Sequence, residues 1–169
     1  ASLENTCGKS SILAAIYYCL GFEQILGGAG GIGSKVLTSA FKTAIEDKGE
    51  PVTVTESGAY LEISNGIEIR TIYRNIKSES KDNHLVTVYY GNYDSVSNNK
   101  TLSEDYYVNI QNSATSEKGF HTFLEEFLHM ELPLVRTSDG NERKLYLQMI
   151  FASMFIEQKH GWSDILSGM

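Results

Sequence analysis

The sequence contains little proline, cysteine or tryptophan: its 169 residues include two prolines, two cysteines and one tryptophan. So few cysteines exclude a disulfide framework, which favours a reducing, cytoplasmic setting. No run approaches the roughly 18 consecutive apolar residues of a membrane helix, so we expect no membrane partner. Positive charge is also scarce, since 14 Lys and Arg stand against 21 Asp and Glu for a net charge of −7. This balance argues against a chain that wraps nucleic acid through its overall field, and leaves open a local basic patch.

Near the start, residues 4–11 read ENTCGKSS and match most of the phosphate-loop pattern G-x-x-x-x-G-K-[ST]. Leu3 stands where the pattern has its first glycine. Gly8 allows the backbone to approach a phosphate, Lys9 can reach the β- and γ-phosphates, and Ser10 offers a hydroxyl to Mg²⁺. We therefore interpret the stretch as a phosphate loop. The alternative is a Gly-Lys-Ser turn that only caps a helix.

The residues after this loop predict a helix that begins at about Lys9. Free amides and the positive end of the helix dipole make such a helix start an anion site. The helix is predicted from an apolar stripe at helical spacing, formed by Ile12, Ala15, Ile16, Cys19 and Leu20. A second glycine-rich stretch, GGAGGIG at 27–33, fits G-x-G-x-x-G through Gly28, Gly30 and Gly33. Because it follows a helix without room for a preceding strand, we interpret it as a flexible loop instead of a dinucleotide site.

The remaining periodicity predicts helix, then antiparallel strands, then helices. Residues 34–49 predict an amphipathic helix that ends near Gly49, and residues 51–90 carry strand-like runs. Asn65-Gly66 indicates a hairpin, for which we favour a three-residue bulged loop that sets Ile63 opposite Ile69. Residues 91–118 predict a polar surface excursion around one strand at 106–110. Residues 119–133 predict a helix stopped by Pro133, and 142–162 a second, apolar helix.

Taken in order, these elements predict an α/β fold in a single domain of 169 residues. Its first part, 1–50, holds the phosphate loop and first helices. The second part, 51–118, holds an antiparallel β-meander with the polar excursion. The third, 119–169, holds the C-terminal helices.

Three segments together resemble the SMC/RecN/RecF-type ATPases, a branch of the ABC ATPases. ENTCGKSSILAAIYYCLG is similar to their first motif, which commonly reads G-x-N-x-x-G-K-S, and Asn5 falls on its asparagine. GAYLEISNGIEIRTIYR resembles the β-meander that follows their first helix. FIEQKHGWSDI resembles their Q-loop, in which Gln158 is the glutamine.

The resemblance implies a P-loop NTPase lobe, like an ABC ATPase head, whose C-terminal helices lead toward a coiled coil. It implies ATP and Mg²⁺ as ligands, with Lys9 and Gln158 in catalysis and with Ser10 and Gln158 on the metal. It also implies partners: a second ATPase head in a homodimer, DNA, and a nuclease or other effector subunit. The residues it places around the nucleotide are Asn5, Thr6, Cys7, Gly8, Lys9, Ser10 and Ser11.

The rest of such an active site is missing from the sequence. No apolar strand ends in Asp-Glu as a Walker B motif would, and no Ser-Gly-Gly signature follows. We therefore expect the first half of a head, which binds nucleotide weakly alone and does not hydrolyse it, because the attacking water is not positioned. The alternative, favoured by Leu3, is a degenerate phosphate loop in an interaction or dimerisation module. A kinase-type enzyme is disfavoured by the strand meander.

Some polar residues suggest other sites. His121, Glu125 and His129 are spaced to share one helix face, but they do not form H-E-x-x-H, and we expect a solvated face rather than a metal site. Arg70 and Arg74 fall on the same side of a predicted strand, where they could face nucleotide or DNA. A solvated sheet face is the simpler expectation.

Four further residues are more simply explained by packing or exposure. Cys7 has no evident base beside it, so we expect a small loop residue and not a nucleophile. Trp162 is expected to pack near the root of a coiled coil. Lys159 and His160 could contact a nucleic-acid backbone, but two such groups do not make a basic patch.

Overall fold

The computed structural model describes residues 9–22, 44–108 and 118–154 of a chain that divides into two compact units, Ala1–Phe123 and Leu124–Met169. The described elements form a mixed α/β structure built on a four-stranded antiparallel sheet. In chain order they are α1 (Lys9–Cys19), β1 (Ala44–Asp47), β2 (Glu50–Thr53), β3 (Ser57–Ser64), β4 (Ile69–Lys77), β5 (Leu85–Tyr89), α2 (Tyr93–Ser97), β6 (Ser103–Tyr107), α3 (Phe120–Phe127), β7 (Leu134–Arg136), β8 (Glu142–Lys144) and α4 (Leu147–Met154).

Helix α1 is described from Lys9 onward, which confirms a helix after the Gly-Lys-Ser stretch; the residues before Lys9 lie outside the described residues. Its buried face differs from the predicted stripe, because Ala14, Tyr17 and Tyr18 are buried with Cys19, whereas Ile12 is 64 % exposed. The stripe was predicted from apolar residues only, and tyrosines were not counted among them. Tyrosine also buries a large ring when its hydroxyl finds a hydrogen-bond partner, and this moves the buried stripe round the helix.

The C-terminus of α1 is closed by a glycine in a left-handed conformation. Gly21 has φ 71°. Its amide donates to the Tyr18 carbonyl at 3.0 Å, and the Phe22 amide donates to the Tyr17 carbonyl at 2.8 Å. This pair of bonds is the Schellman arrangement, which satisfies carbonyls that the helix leaves open.

Strands β1 and β2 form a hairpin where the sequence predicted the end of a helix. Ala44–Asp47 pairs antiparallel with Glu50–Thr53, so the helix predicted over 34–49 is wrong in its last part. Its residues 34–43 lie outside the described residues. The two turn residues, Lys48 and Gly49, both have positive φ (54° and 86°), as a type I′ turn requires. Such a turn reverses the chain within two residues, which a continuing helix cannot do.

Strands β3 to β6 form the sheet in the order β3-β4-β5-β6, with every neighbouring pair antiparallel. This confirms the β-meander predicted from the β-branched and aromatic runs. Strand β6 runs beside the whole of β5 and is therefore part of the sheet, so the predicted surface excursion is wrong there. The strand predicted at 106–110 starts three residues too late. Helix α2 was not predicted, since five residues are too few for a helical period.

The loop between β3 and β4 contains four residues, 65–68. Ile63 lies opposite Arg70, so the predicted three-residue loop that set Ile63 opposite Ile69 is wrong by one residue. The Asn65 side chain explains the difference. Its Oδ1 accepts from the backbone amides two and three residues ahead, at 2.9 and 2.8 Å, and these bonds hold a wider loop.

Alternation along the strands gives the sheet two different faces. We call the first the core face, and it carries Ala59, Leu61, Ile63, Arg70, Ile72, Arg74, Val86, Val88, Glu104 and Tyr106. We call the second the tyrosine face, and it carries Gly58, Tyr60, Glu62, Thr71, Tyr73, Asn75, Leu85, Thr87, Tyr89, Ser103, Asp105 and Tyr107. Ile72, Val86 and Val88 are fully buried, so the core of the first unit lies on the first of these faces.

The C-terminal elements differ from the two long helices that the sequence predicted. Helix α3 ends at Phe127, well before Pro133, and His129 then adopts a positive φ of 52°. Strands β7 and β8 form a hairpin over 134–144, and only after it does α4 begin, at Leu147. The second helix predicted from residue 142 is therefore wrong over its first residues, and 155–162 lie outside the described residues. Within the described ranges, no helix has the length and apolar character needed to cross a bilayer.

Candidate functional site

The predicted phosphate site falls at the start of α1. Lys9, Ser10 and Ser11 are the first described residues of that helix. The backbone amides of a first turn have no partner inside the helix, and the helix dipole is positive there. Helix N-termini with these properties are common anion-binding sites in proteins. The other nucleotide residues predicted from the resemblance lie outside the described residues, namely Asn5, Thr6, Cys7, Gly8 and Gln158.

The opposite end of α1 is fixed to the sheet by Arg74. Its Nη1 donates to the Tyr18 carbonyl at 2.6 Å, and its Nε donates to the Asn83 carbonyl at 2.9 Å. The guanidinium carbon lies 3.9 Å from the centroid of the Tyr18 ring. A cation at a helix C-terminus is favourable, because the dipole is negative there. Arg74 thus joins α1, β4 and the loop before β5.

Two further contacts hold the same helix end. The Tyr18 hydroxyl donates to the Asn75 carbonyl, and the Cys19 thiol donates to the Ala59 carbonyl at 3.7 Å. An α-helix rises about 1.5 Å per residue, so the fixed end lies roughly 15 Å from the first turn. Because a helix is stiff over that length, the sheet determines the position of the first turn relative to the core.

The imidazole of His121 packs against the residues that follow α1. His121 is buried, and its Nε2 lies 3.2 Å from the Leu20 carbonyl, to which it donates. Its ring stacks on Phe22 with centroids 5.3 Å apart. A Cβ at Gly21 would lie 2.9 Å from His121 Nε2 and 2.7 Å from Val108 Cγ1, so only glycine fits between them.

Arg70 and Arg74 do not lie on a solvated face, which corrects the prediction. Arg74 is 2 % exposed and the Arg70 side chain 15 % exposed. They do share one face, as the strand period predicted. Arg70 donates to Glu68 at 2.6 Å, and its guanidinium carbon lies 4.7 Å from the centroid of the Tyr90 ring.

A carboxylate links several polar groups at the same edge of the core face. Glu104 accepts from the Tyr90 hydroxyl at 2.7 Å, from the Tyr106 hydroxyl at 3.0 Å and from the Lys118 ammonium. The hydrogen bond from Lys118, followed by those from Tyr90 and Tyr106, lowers the pKa of Glu104 to about 2. Burial, followed by the bonds to Tyr90 and Glu104, raises the pKa of Tyr106. This cluster ties the end of β5 and strand β6 to Lys118, two residues before α3.

The solvated face predicted for His121, Glu125 and His129 is wrong for the first two residues, whereas His129 is exposed. His121 and Glu125 are both buried. Glu125 forms an ion pair with Lys144, and His129 lies beyond the end of α3. Within the part of the chain that the structure describes, no group of three or more potential ligands is placed to hold a metal ion.

Sequence reasoning missed the role of Arg74 in fixing α1, although a signal was present. Arg74 lies two residues from both Ile72 and Ile76, so the strand period places it on an apolar face. The other predicted candidates, Trp162, Lys159, His160 and the glycines of 27–33, lie outside the described residues.

Comparisons with known proteins did not assign a family. A scan against protein-family models, a search of curated proteins and a search of solved structures each found no match. Function must therefore be argued from the chain's own residues.

Proposed function

We propose that this chain binds Mg²⁺-ATP at the start of α1, as the N-terminal half of an SMC-like ATPase head. The observation that supports the proposal is that the chain is helical from Lys9, the first described residue, which directly follows Gly8 of the phosphate-loop pattern. A helix start at this position offers free amides to the phosphates. In the proposal, the Lys9 ammonium neutralises phosphate charge, and the Ser10 hydroxyl binds the metal.

The fold proposed with it is a P-loop NTPase lobe that carries an antiparallel meander. The four-stranded sheet and its contacts with the end of α1 agree with that proposal, because they hold the phosphate-binding helix from its far end. Hydrolysis would need a Walker B acid and a signature motif from a C-terminal half. We place such a head in a DNA-acting machine, for repair, chromosome organisation or defence, with a second head and an effector subunit as partners.

The test is isothermal titration calorimetry of the chain with Mg²⁺-ATP, repeated with Lys9→Ala. Alanine is the best helix former, so the variant should keep α1. Loss of one charged phosphate contact should weaken binding by about tenfold, which corresponds to about 1.4 kcal/mol. The matched control is Lys100→Ala, which removes an exposed lysine from a loop after α2 and should leave affinity unchanged. Equal binding by wild type and Lys9→Ala, or no binding by the wild type, would contradict the proposal.

A further inference from the structure

The tyrosine face presents an exposed aromatic cluster that the nucleotide proposal does not use. Tyr60 and Tyr73 lie directly opposite each other on β3 and β4, with ring centroids 4.6 Å apart. Tyr93, from the first turn of α2, meets Tyr60 edge-on at 5.3 Å. Tyr60 and Tyr93 are each 48 % exposed. We call these three residues the tyrosine cluster.

Two features of the backbone hold the rings of the cluster in place. A Cβ at Gly58 would lie 2.5 to 2.8 Å from atoms of the Tyr73 ring, so that ring extends over a glycine that leaves room for it. Tyr93 is held in turn, because its amide donates to Glu62 Oε2 at 2.9 Å. Rings fixed in advance lose little freedom when a partner binds, and this favours affinity.

Carboxylates lie beside the exposed rings. Glu62 follows Tyr60 on the same face of β3, and it is exposed. Asp105, also exposed, lies farther away, at the other end of the cross-strand row that begins at Tyr60, and accepts from Thr87 at 2.7 Å. Asp94 lies next to Tyr93 in the first turn of α2. The carboxylate of Glu62 therefore lies between Tyr60 and Tyr93, and Asp94 adds a negative charge next to Tyr93 in sequence.

The cations at this face lie on one side of the cluster. Lys81 Nζ is 5.6 Å from the centroid of the Tyr73 ring. Lys77 donates to the Val54 carbonyl. The Tyr73 ring thus already has a lysine ammonium nearby, whereas the Tyr60 and Tyr93 rings are exposed to solvent.

Rings next to carboxylates attract cations, since the ring face carries negative electrostatic potential. Two arginine–tyrosine contacts of this kind occur within the first unit. The guanidinium carbon of Arg74 lies 3.9 Å from the centroid of the Tyr18 ring, and that of Arg70 lies 4.7 Å from the Tyr90 ring. Nucleic acid suits this face less well. Its phosphates need a cationic groove beside the stacking rings, and here the flanking groups are acidic.

The size of the face indicates how large the partner segment is. Strands lie about 4.8 Å apart and rise about 3.4 Å per residue, so four strands of five residues cover roughly 14 by 17 Å at most. Thr71 and Asn75 on this face are buried, so the open part is smaller. That is far less than the ~800 Å² that each partner contributes to a stable interface. A second copy of this chain would need a larger surface, whereas an extended segment of about five residues spans this length.

We propose that the tyrosine face docks a short, extended, arginine-containing segment of a partner protein. Its guanidinium groups lie over Tyr60 and Tyr93 and pair with Glu62. This interaction does not depend on the phosphate loop, so failure of the nucleotide proposal leaves it standing.

The test measures fluorescence anisotropy of a labelled heptapeptide of alternating arginine and serine. A glutamate and serine peptide and a labelled oligothymidine serve as comparison probes. Only the arginine peptide should bind. Tyr60→Ala should weaken it about fivefold, as expected for one exposed cation–π contact, and Tyr60→Phe should stay within about twofold, because phenylalanine keeps the ring. Glu62→Gln should also weaken binding.

Two more variants separate the face from general effects. Tyr146→Ala removes a tyrosine of similar exposure (38 %) in the second unit and should change nothing. Gly58→Ala removes no ring, but its Cβ displaces the Tyr73 ring. It should weaken binding of the arginine peptide and leave the circular dichroism spectrum unchanged. Failure of the arginine peptide to bind, equal binding by Tyr60→Ala, or equal binding of the glutamate peptide would overturn the proposal. Binding of oligothymidine through Tyr60 would replace it with a nucleobase platform.

Discussion

Arg74 shows how one residue connects the sheet with the candidate site. It is 2 % exposed, yet it is charged. A buried guanidinium is tolerated only where its charge is dispersed over hydrogen-bond acceptors, here the carbonyls of Tyr18 and Asn83. The same carbonyls would be left without this donor if the arginine were replaced. Arg74 is therefore expected to matter for stability far more than an exposed arginine does.

Replacing Arg74 by methionine keeps much of its volume and removes its donors. We expect Arg74→Met to lower the free energy of unfolding by about 2–4 kcal/mol. Urea denaturation measures the change. The control is Arg143→Met, since Arg143 is exposed and its surface pair with Asp139 contributes less than about 1 kcal/mol. Equal losses in the two variants would show that Arg74 does not fix α1 as described.

The carboxylate of Glu104 predicts a pH dependence. Its folded-state pKa of about 2 lies below the ordinary value of 4.5, so its ionised form stabilises the fold above pH 4.5 and that contribution is lost as the pH falls toward 2. In Glu104→Gln this contribution is absent. The urea midpoint should therefore drop less between pH 6 and pH 3 in the variant than in the wild type. An equal drop in both proteins would contradict the assigned role of Glu104.

At the scale of elements, the C-terminus of α1 depends on Gly21. Its φ of 71° disfavours any other residue, and its neighbours Val108 and His121 leave no room for a Cβ. Gly140 supplies a matched comparison, with φ 81° and open space around it. The two glycines share a positive φ, and Gly21 is crowded whereas Gly140 is not.

Gly140→Ala should cost about 1 kcal/mol, the strain of a left-handed residue, and Gly21→Ala about 2–4 kcal/mol because crowding adds to it. Thermal unfolding of both variants tests the difference. A Gly21→Ala protein no less stable than Gly140→Ala would mean that α1 does not end against Val108 and His121 as the structure has it.

Elements with a clear period could be predicted, and elements made by turns could not. Helix α1 and the strands of the meander follow from helical spacing and from β-branched runs. The hairpins β1–β2 and β7–β8 were missed, because each consists of strands of three or four residues around a turn. Strands that short carry almost no period, and Lys48 takes a positive φ that its residue type does not signal. The register after Asn65 was missed because a side chain widens the loop.

The site could be predicted in its local part only. Gly8, Lys9 and Ser10 are neighbours in sequence, so their motif and the helix after it can be read together. Arg74 meets Tyr18 across 56 positions, and no local pattern indicates which helix end a buried arginine will reach. The pairing of Tyr60 with Tyr73 likewise depends on the strand register, and the register predicted from the sequence was wrong by one residue.

For the whole molecule, the charge balance restricts where an anion can bind. With a net charge of −7, the overall field opposes a nucleotide that is itself an anion. In the proposed site, binding comes from local donors, namely the backbone amides near Lys9. We therefore expect the affinity for ATP to fall strongly without Mg²⁺, because the metal neutralises phosphate charge that this acidic protein cannot neutralise.

The most direct measurement of the central claim is an amide chemical-shift titration of the ¹⁵N-labelled protein with Mg²⁺-ATP. The account predicts saturable shifts concentrated at the amides of Lys9, Ser10 and Ser11, with none at Gly140 in the second unit. The same shifts should be reduced in Lys9→Ala. Shifts that are absent at the start of α1, or that are largest on the tyrosine face, would contradict the claim that this helix start binds the nucleotide.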